Sequence, residues 1–483
     1  MVRKIFRIGL IFFILVELCF TFVQHYHISL DGDMAAIVVP SNGYSTVLHD
    51  PFGMNALLHD SIYPAPNRYF AHLIQKEWFQ QAPLILQSLS KPVDSVYLSS
   101  ALLKTLTEFA LILLLGFFIT GKTKLWDEQF LIAASLIAPL FQTYGYSGTI
   151  GIIDHAPTYV VFYPLSIIFM LIFFFPWFQS YFHTQKELSI RNVTIALILA
   201  IVISFNGALN PAIVLLVSPM IICHLWLQNF QKNEKQNVII RLWNAWKQIG
   251  WKTTLPMTFI ILLSLYSFYI GRNNAENNWE TLPLAERFAR LPIGLINILT
   301  QKAGFILLIL SITINFYLIR KWKLSGETEK LRKLAFWILA FIILYTLLLP
   351  FGGYRSYRPN IIRRDTYLPV ILSLFFLYGY SALFLLRYAI TNQKKIYVGF
   401  IILFTLIFFA SDLEIREHNA CERKALEEIA TSELDTVKLS VECKVLSWEP
   451  IYNPILSKTN AKLLKMWRIT KREKLYFSGR DEK

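Results

Sequence analysis

The sequence predicts an all-α polytopic membrane protein with about eleven transmembrane helices, and three observations predict it. Of 483 residues, 55% are hydrophobic and only 16% are charged, against about 25% charged in a typical soluble domain. The apolar residues come in blocks of helix length, and about 20 such residues cross a hydrocarbon core. The net charge of +15 is gathered in short segments between those blocks. This composition excludes a disordered chain and speaks against a soluble enzyme. The basic residues form no single water-facing surface, so nucleic acid is not an expected partner.

The apolar blocks fall at 5–23, 101–120, 128–144, 158–177, 193–205, 211–228, 254–271, 303–319, 334–350, 367–386 and 396–411. Arg3, Lys4 and Arg7 place the N-terminus in the cytoplasm. On that assignment the N-terminal residues and the inner connections hold 21 Lys/Arg. The outer loops hold 11 residues of each sign, and the tail from 412 holds 14 basic and 13 acidic residues. Nearly the whole basic excess then lies on one side, as the positive-inside rule requires. The first block is followed by no clean small-x-small cleavage site and is expected to stay as the first membrane helix. A bacterial plasma membrane is the expected location.

Two regions are longer than connections. Residues 24–100 form a first outer loop within the membrane domain 1–411, and 412–483 form a polar extracytoplasmic tail. In the loop, Tyr69, Phe70, Leu73, Ile74, Trp78 and Phe79 predict an amphipathic helix along the membrane surface over 67–90. In the tail, Glu422, Lys424, Glu427 and Glu428 suggest a solvated helix around 413–434, in a small helical cap or an extended segment. Cys421 and Cys443 are free or bridged; an oxidising compartment would favour the bridge.

Chemistry-bearing residues concentrate in the outer loops. Ser29-Leu30-Asp31-Gly32-Asp33-Met34 follows the first span. Asp31 and Asp33, separated by glycine, can approach one centre. One carboxylate can serve as a general base while the other orients it or holds a divalent cation. The alternative is a helix N-cap before the run from Met34 to Val39. Two Leu-His-Asp tripeptides follow, with His49 and Asp50, then His59 and Asp60; Asp154 and His155 sit in the next outer loop. These are possible auxiliary proton carriers or metal ligands, or loop-stabilising hydrogen-bonding groups. Between the ninth and tenth blocks lie Arg355, Arg358, Arg363 and Arg364, with only Asp365 to offset them. Guanidinium forks bind phosphate in bidentate fashion, so this loop reads as a phosphate clamp. Lys104 and Glu108 are expected to pair on one helix face, Glu17 is expected to avoid lipid, and the few polar residues within the spans are not expected to form a relay.

The N-in first span, the long first outer loop opening with acids, its surface helix and the many further spans together resemble the GT-C class of membrane glycosyltransferases. The resemblance covers residues 1 to about 411, and its local motif is Asp31-Gly32-Asp33. It implies a GT-C-like bundle and an inverting transfer of a sugar from a polyprenyl-phosphate lipid to an extracytoplasmic acceptor in the cell envelope. Asp31 or Asp33 would be the base, and the arginine loop would hold the lipid phosphate. The motif departs from the adjacent Asp-Glu pair of the protein-mannosyltransferase and aminoarabinose-transferase branches, leaving sugar, acceptor and metal open. No Walker loop, dinucleotide fingerprint, HExxH or paired CxxC is present, and the chemistry requires no nucleotide cofactor. The alternatives are an O-antigen ligase or polymerase-like enzyme, a transporter or flippase of lipid-linked sugars, and a noncatalytic scaffold.

Overall fold

In a computed structural model, 73% of the chain is helical. The structure describes residues 2–41, 43–184, 188–232, 237–278, 282–324, 326–352, 354 and 358–479. Nine helices among the described residues are long and apolar enough to cross a membrane, from Arg3–Tyr26 to Thr391–Ser411. The protein is an all-α polytopic membrane protein.

Two of the eleven expected spans are too short to count among these nine. Helices Glu128–Leu140 and Ile190–Ser204 fall below the length that spans a bilayer unaided. The first tightens into a 3-10 turn at Ala138–Leu140, where Pro139 cannot continue the regular hydrogen-bond ladder. Both segments still reach the rim that carries the first loop. The backbone N–H groups of Thr143 and Tyr144 donate to Asp412 just beyond the last helix, and Phe205 accepts from the Phe70 N–H in the first loop. Glu128–Leu140 packs inside the bundle, with Phe130, Ala133, Ala134 and Ile137 buried, whereas Ile190–Ser204 buries one face through Val193, Ala196, Ala200 and Ile203 and leaves Ile190, Ile195 and Ile198 exposed.

Helix Arg364–Tyr388 is the axis of the bundle. Its most apolar window is 94% buried, against 22% for Arg3–Tyr26 and 17% for Thr391–Ser411. Of the arginine stretch, the described Arg358 and Arg363 immediately precede this axial helix.

The first loop contains short helices and, over the stretch where a helix was expected, helix Tyr69–Leu86, which buries Ala71 and Phe79 in the protein. The tail differs from the expected cap. Around helices Ala420–Thr431 and Lys458–Met466 it adds two short strands, Thr436–Leu439 and Leu475–Ser478, paired in parallel with Val437 opposite Tyr476. Cys421 and Cys443 are bridged.

The tail is not a separate body beyond residue 411. Leu426, Ile429, Val437, Leu464 and Trp467 share one core with Met34, Ile37, Val38 and Phe79 of the first loop. The Trp467 indole donates to the Phe79 carbonyl at 2.8 Å. Buried Glu422 accepts from Leu30 N–H (2.8 Å), Leu446 N–H (3.1 Å) and the Tyr97 hydroxyl (2.8 Å), fastening loop, tail and helix Pro92–Thr120 together. Tail and first loop thus occupy the same rim, outer in the predicted topology.

Candidate active site

The acidic turn is built by Asp31. Its Oδ1 accepts from the backbone N–H groups of Asp33 and Met34, both at 3.0 Å, in the geometry that starts helix Met34–Val38. Oδ1 also accepts from the Thr158 hydroxyl at 2.8 Å, and Oδ2 from the Thr158 N–H at 2.9 Å. The turn is thereby locked to the first residues of helix Pro157–His183. Asp31 is only 2% exposed. Burial, reinforced by the Asp33 charge, pushes its carboxyl up to about 6 against the pull of the Thr158 hydrogen bonds. Asp33 is the N-cap residue of helix Met34–Val38 but makes no side-chain capping bond; Asp31 two residues earlier takes the backbone N–H groups of the turn.

Asp33 is placed differently. It is half-buried, and its Oδ1 accepts from the Trp448 indole of the tail at 3.0 Å. Gly32 makes this approach possible: a β-carbon there would lie 2.6 Å from the Trp448 backbone nitrogen and 2.9 Å from the Ser447 carbonyl carbon. Glycine is required because the tail backbone lies on it.

Tyr159 joins the acidic and basic stretches. Its ring stacks on Trp448 with centroids 5.7 Å apart, and its hydroxyl accepts from Arg358, whose guanidinium lies 4.9 Å from the ring centroid. Arg358 also donates to Asp365 at 3.1 Å, while Arg363 grips the same carboxylate with Nε at 3.0 Å and a terminal nitrogen at 3.3 Å. Two guanidinium groups thus share one acid. Arg68, at the start of helix Tyr69–Leu86, adds a third cation. Together with Arg358, Arg363 and Asp365 it acts electrostatically on Tyr163, one turn beyond Tyr159. Its buried Nε has no hydrogen-bond partner among the described residues. The local balance is positive, suited to an anion.

The remaining expected residues divide. Arg364 pairs with Asp154 and donates to the Ser147 carbonyl at 3.3 Å, so it braces the loop 141–156 rather than sharing Asp365. Arg355 lies outside the described residues. His155 joins this border: its Nε2 meets the Thr143 carbonyl at 2.7 Å, and burial holds its imidazole down to about 4, so it is neutral. The two Leu-His-Asp tripeptides serve another cluster, in which Val47, Ala56 and Tyr63 pack on Phe205 and Ile270. Asp50 accepts from Met54 N–H, Asn55 N–H and the Tyr63 hydroxyl, at 2.7, 2.8 and 2.7 Å. His49 Nδ1 bonds the Ser45 carbonyl at 2.7 Å, Asp60 pairs with Arg272, and His59 is exposed. This is the loop-stabilising role. Among the described residues no three His, Cys, Asp or Glu side chains converge as metal ligands.

Below the arginines an apolar cavity of about 280 Å³ lies between the spans, lined by Leu115, Phe174, Ile213, Phe341, Pro369 and Phe376 among others. Pro369 is four residues along the axial helix from Asp365, about 6 Å at 1.5 Å per residue. Tyr159, Trp448 and Arg68 carry no sequence signal, being ordinary members of an aromatic-rich, basic chain. Comparison with family models, curated proteins and solved structures returns no match for this chain.

Proposed function

We propose that the protein is an inverting membrane glycosyltransferase that moves a sugar from a polyprenyl-phosphate lipid to an acceptor hydroxyl on the extracytoplasmic side. The observation that carries this reading is the junction at Tyr159: it contacts Arg358 directly and, through Trp448, the residue that donates to Asp33. A carboxylate and a cationic surplus meet at one rim, where a lipid headgroup can arrive from the side and an acceptor from water.

Asp33 takes the proton of the acceptor hydroxyl as its oxygen bonds to the anomeric carbon. The bond from that carbon to the phosphate oxygen breaks, its electron pair stays on the phosphate, and the configuration inverts. Arg358, Arg363 and Arg68 stabilise the growing negative charge, an effect greater in the transition state than in the ground state. Asp31 positions the turn. The apolar cavity next to Pro369 suits the start of an isoprenoid tail. The tail disulfide agrees with an oxidising outer compartment and hence with a cytoplasmic N-terminus; a bacterial plasma membrane is part of the proposal.

The test is release of polyprenyl phosphate by the full-length protein in nanodiscs, given a panel of short-chain polyprenyl-phosphate sugars together with a panel of hydroxyl-bearing glycan, lipid and peptide acceptors. Release by the wild type and none by Asp33→Asn is expected. Equal release by both, or none by the wild type from any donor, would overturn the reading.

A further inference from the structure

Helices Arg3–Tyr26 and Pro92–Thr120 bury four ionisable side chains between them: Glu17 at 7% exposure, His25 at 1%, Lys104 at 0% and Glu108 at 1%. The pairing of Lys104 with Glu108 expected from their spacing is not made. Lys104 gives its ammonium to the His155 carbonyl, and Glu108 turns to His25, with Oε2 and Nε2 3.6 Å apart. That is too long for a hydrogen bond. Both ring nitrogens of His25, Oε2 of Glu108 and Oε1 of Glu17 have no hydrogen-bond partner among the described residues. Each such group keeps an uncompensated desolvation cost, and ionisable groups inside a membrane are otherwise rare. Contrary to the sequence expectation, the intramembrane polar residues converge.

We propose that Glu17, His25 and Glu108 form an intramembrane proton-binding site that exchanges its proton with the outer rim by way of Asp412. The charge balance supports a proton as the ligand. Glu108 faces the imidazole of His25 and Glu17 acts on Glu108, while Lys104 gives its ammonium to a backbone carbonyl. A proton moved between His25 and Glu108 interconverts a neutral pair and an ion pair without removing any group from the cluster.

Asp412 is the outward link. It accepts from the Gln24 amide at 3.2 Å, one residue before His25, and acts electrostatically on both Glu17 and Glu108. Burial raises its own carboxyl, so it accepts a proton more readily than a surface aspartate. The other facing groups are His155, held neutral by burial, then Asp154, Asp31 and His418 on the outer side. At the opposite end of the same helix Arg7 is paired with Glu128 at 3.6 Å.

The test treats the full-length protein in nanodiscs with dicyclohexylcarbodiimide and maps adducts by peptide mass spectrometry. The reagent takes the proton of a neutral carboxyl on one nitrogen while the carboxyl oxygen bonds its central carbon, so only protonated acids in apolar surroundings react. An adduct on Glu108 or Glu17 is expected, falling about tenfold per pH unit above its midpoint. Asp412→Asn should shift that midpoint and leave the low-pH adduct intact. No adduct on either glutamate between about pH 5 and 9, an adduct independent of pH, or protection by sodium ions at constant pH would overturn the proposal. Should Glu108→Gln fail to insert as a control, Glu17→Gln and the wild-type profile decide. No sugar donor is used, so the outcome is independent of the glycosyltransferase reading.

Discussion

Thr158 donates both its backbone N–H and its hydroxyl to the Asp31 carboxylate. A carboxylate with that many donors, 2% exposed, is a structural anchor. The two acids of the motif are therefore separable by experiment. Asp33→Asn should reduce donor turnover by roughly 10²–10⁴-fold, the usual worth of a positioned base, with unchanged thermal unfolding. Asp31→Asn turns an amide N–H toward donors and should instead lower stability, by about 1–3 kcal/mol. Parallel melting curves and turnover assays check both; an Asp31 variant that melts normally and is dead would reverse the assignment.

Gly32→Ala tests the contact with the tail directly. The added methyl would have to displace the Trp448 backbone, 2.6 Å away. Overpacking of this kind costs typically about 1–3 kcal/mol. The expected outcome is a tail more readily cleaved near Trp448 by protease and a loss of turnover like that of Asp33→Asn, because the indole leaves Asp33. Unchanged protease sensitivity would show that the tail does not rest on the turn.

These contacts show which parts of the site were legible before the fold was known. Asp31, Asp33, Arg358 and Arg363 stand out because charges are sparse in an apolar chain and these lie just outside spans. Tyr159, Thr158 and Trp448 do not, because one tyrosine among 23 and one tryptophan among 12 look alike until the chain brings residue 448 back to residue 33. The nine long apolar helices were legible from apolar blocks. The shortness of 193–205 was legible as well, whereas that of 128–144 was not, because the helix there ends in a 3-10 turn at Pro139 within an unbroken apolar run. The shared core of loop and tail was equally hidden: its residues lie hundreds of positions apart, and no membrane-length run announces them.

The arginines should separate by role. Arg358→Ala and Arg363→Ala each remove a donor from the shared Asp365 site, and loss of one preorganised donor costs about 10²–10³-fold in rate. Arg358→Lys should recover little, since an ammonium cannot reproduce the fork. Arg364→Ala breaks the pair with Asp154, whose side chains are 23% and 14% exposed. Its effect should appear mainly as lost stability, about 1–2 kcal/mol after allowing for solvent screening. Kinetics with the lipid donor beside thermal unfolding distinguish the two patterns, and a double-mutant cycle with Asp154→Ala should show coupling for Arg364 alone.

Glu422 gives the outer unit a pH dependence of known sign. Burial raises its carboxyl to about 7, from 4.5 for an ordinary glutamate. A raised carboxyl contributes stability that is fully present below the unfolded value and is lost as pH rises through the folded one. The difference of 4.5 to about 7 corresponds to roughly 3 kcal/mol, lost between about pH 4.5 and 7. His72 works the other way. Burial lowers its imidazole to about 4, so acid costs stability between about pH 6.5 and 4. The wild type alone would show the sum, so the measurement is a comparison with Glu422→Gln. The stability advantage of the wild type over the glutamine variant, read from tail unfolding, should shrink steadily from pH 4.5 to 7. A difference that is flat across that window would mean that the clamp between Leu30, Leu446 and Tyr97 carries its carboxyl ionised throughout.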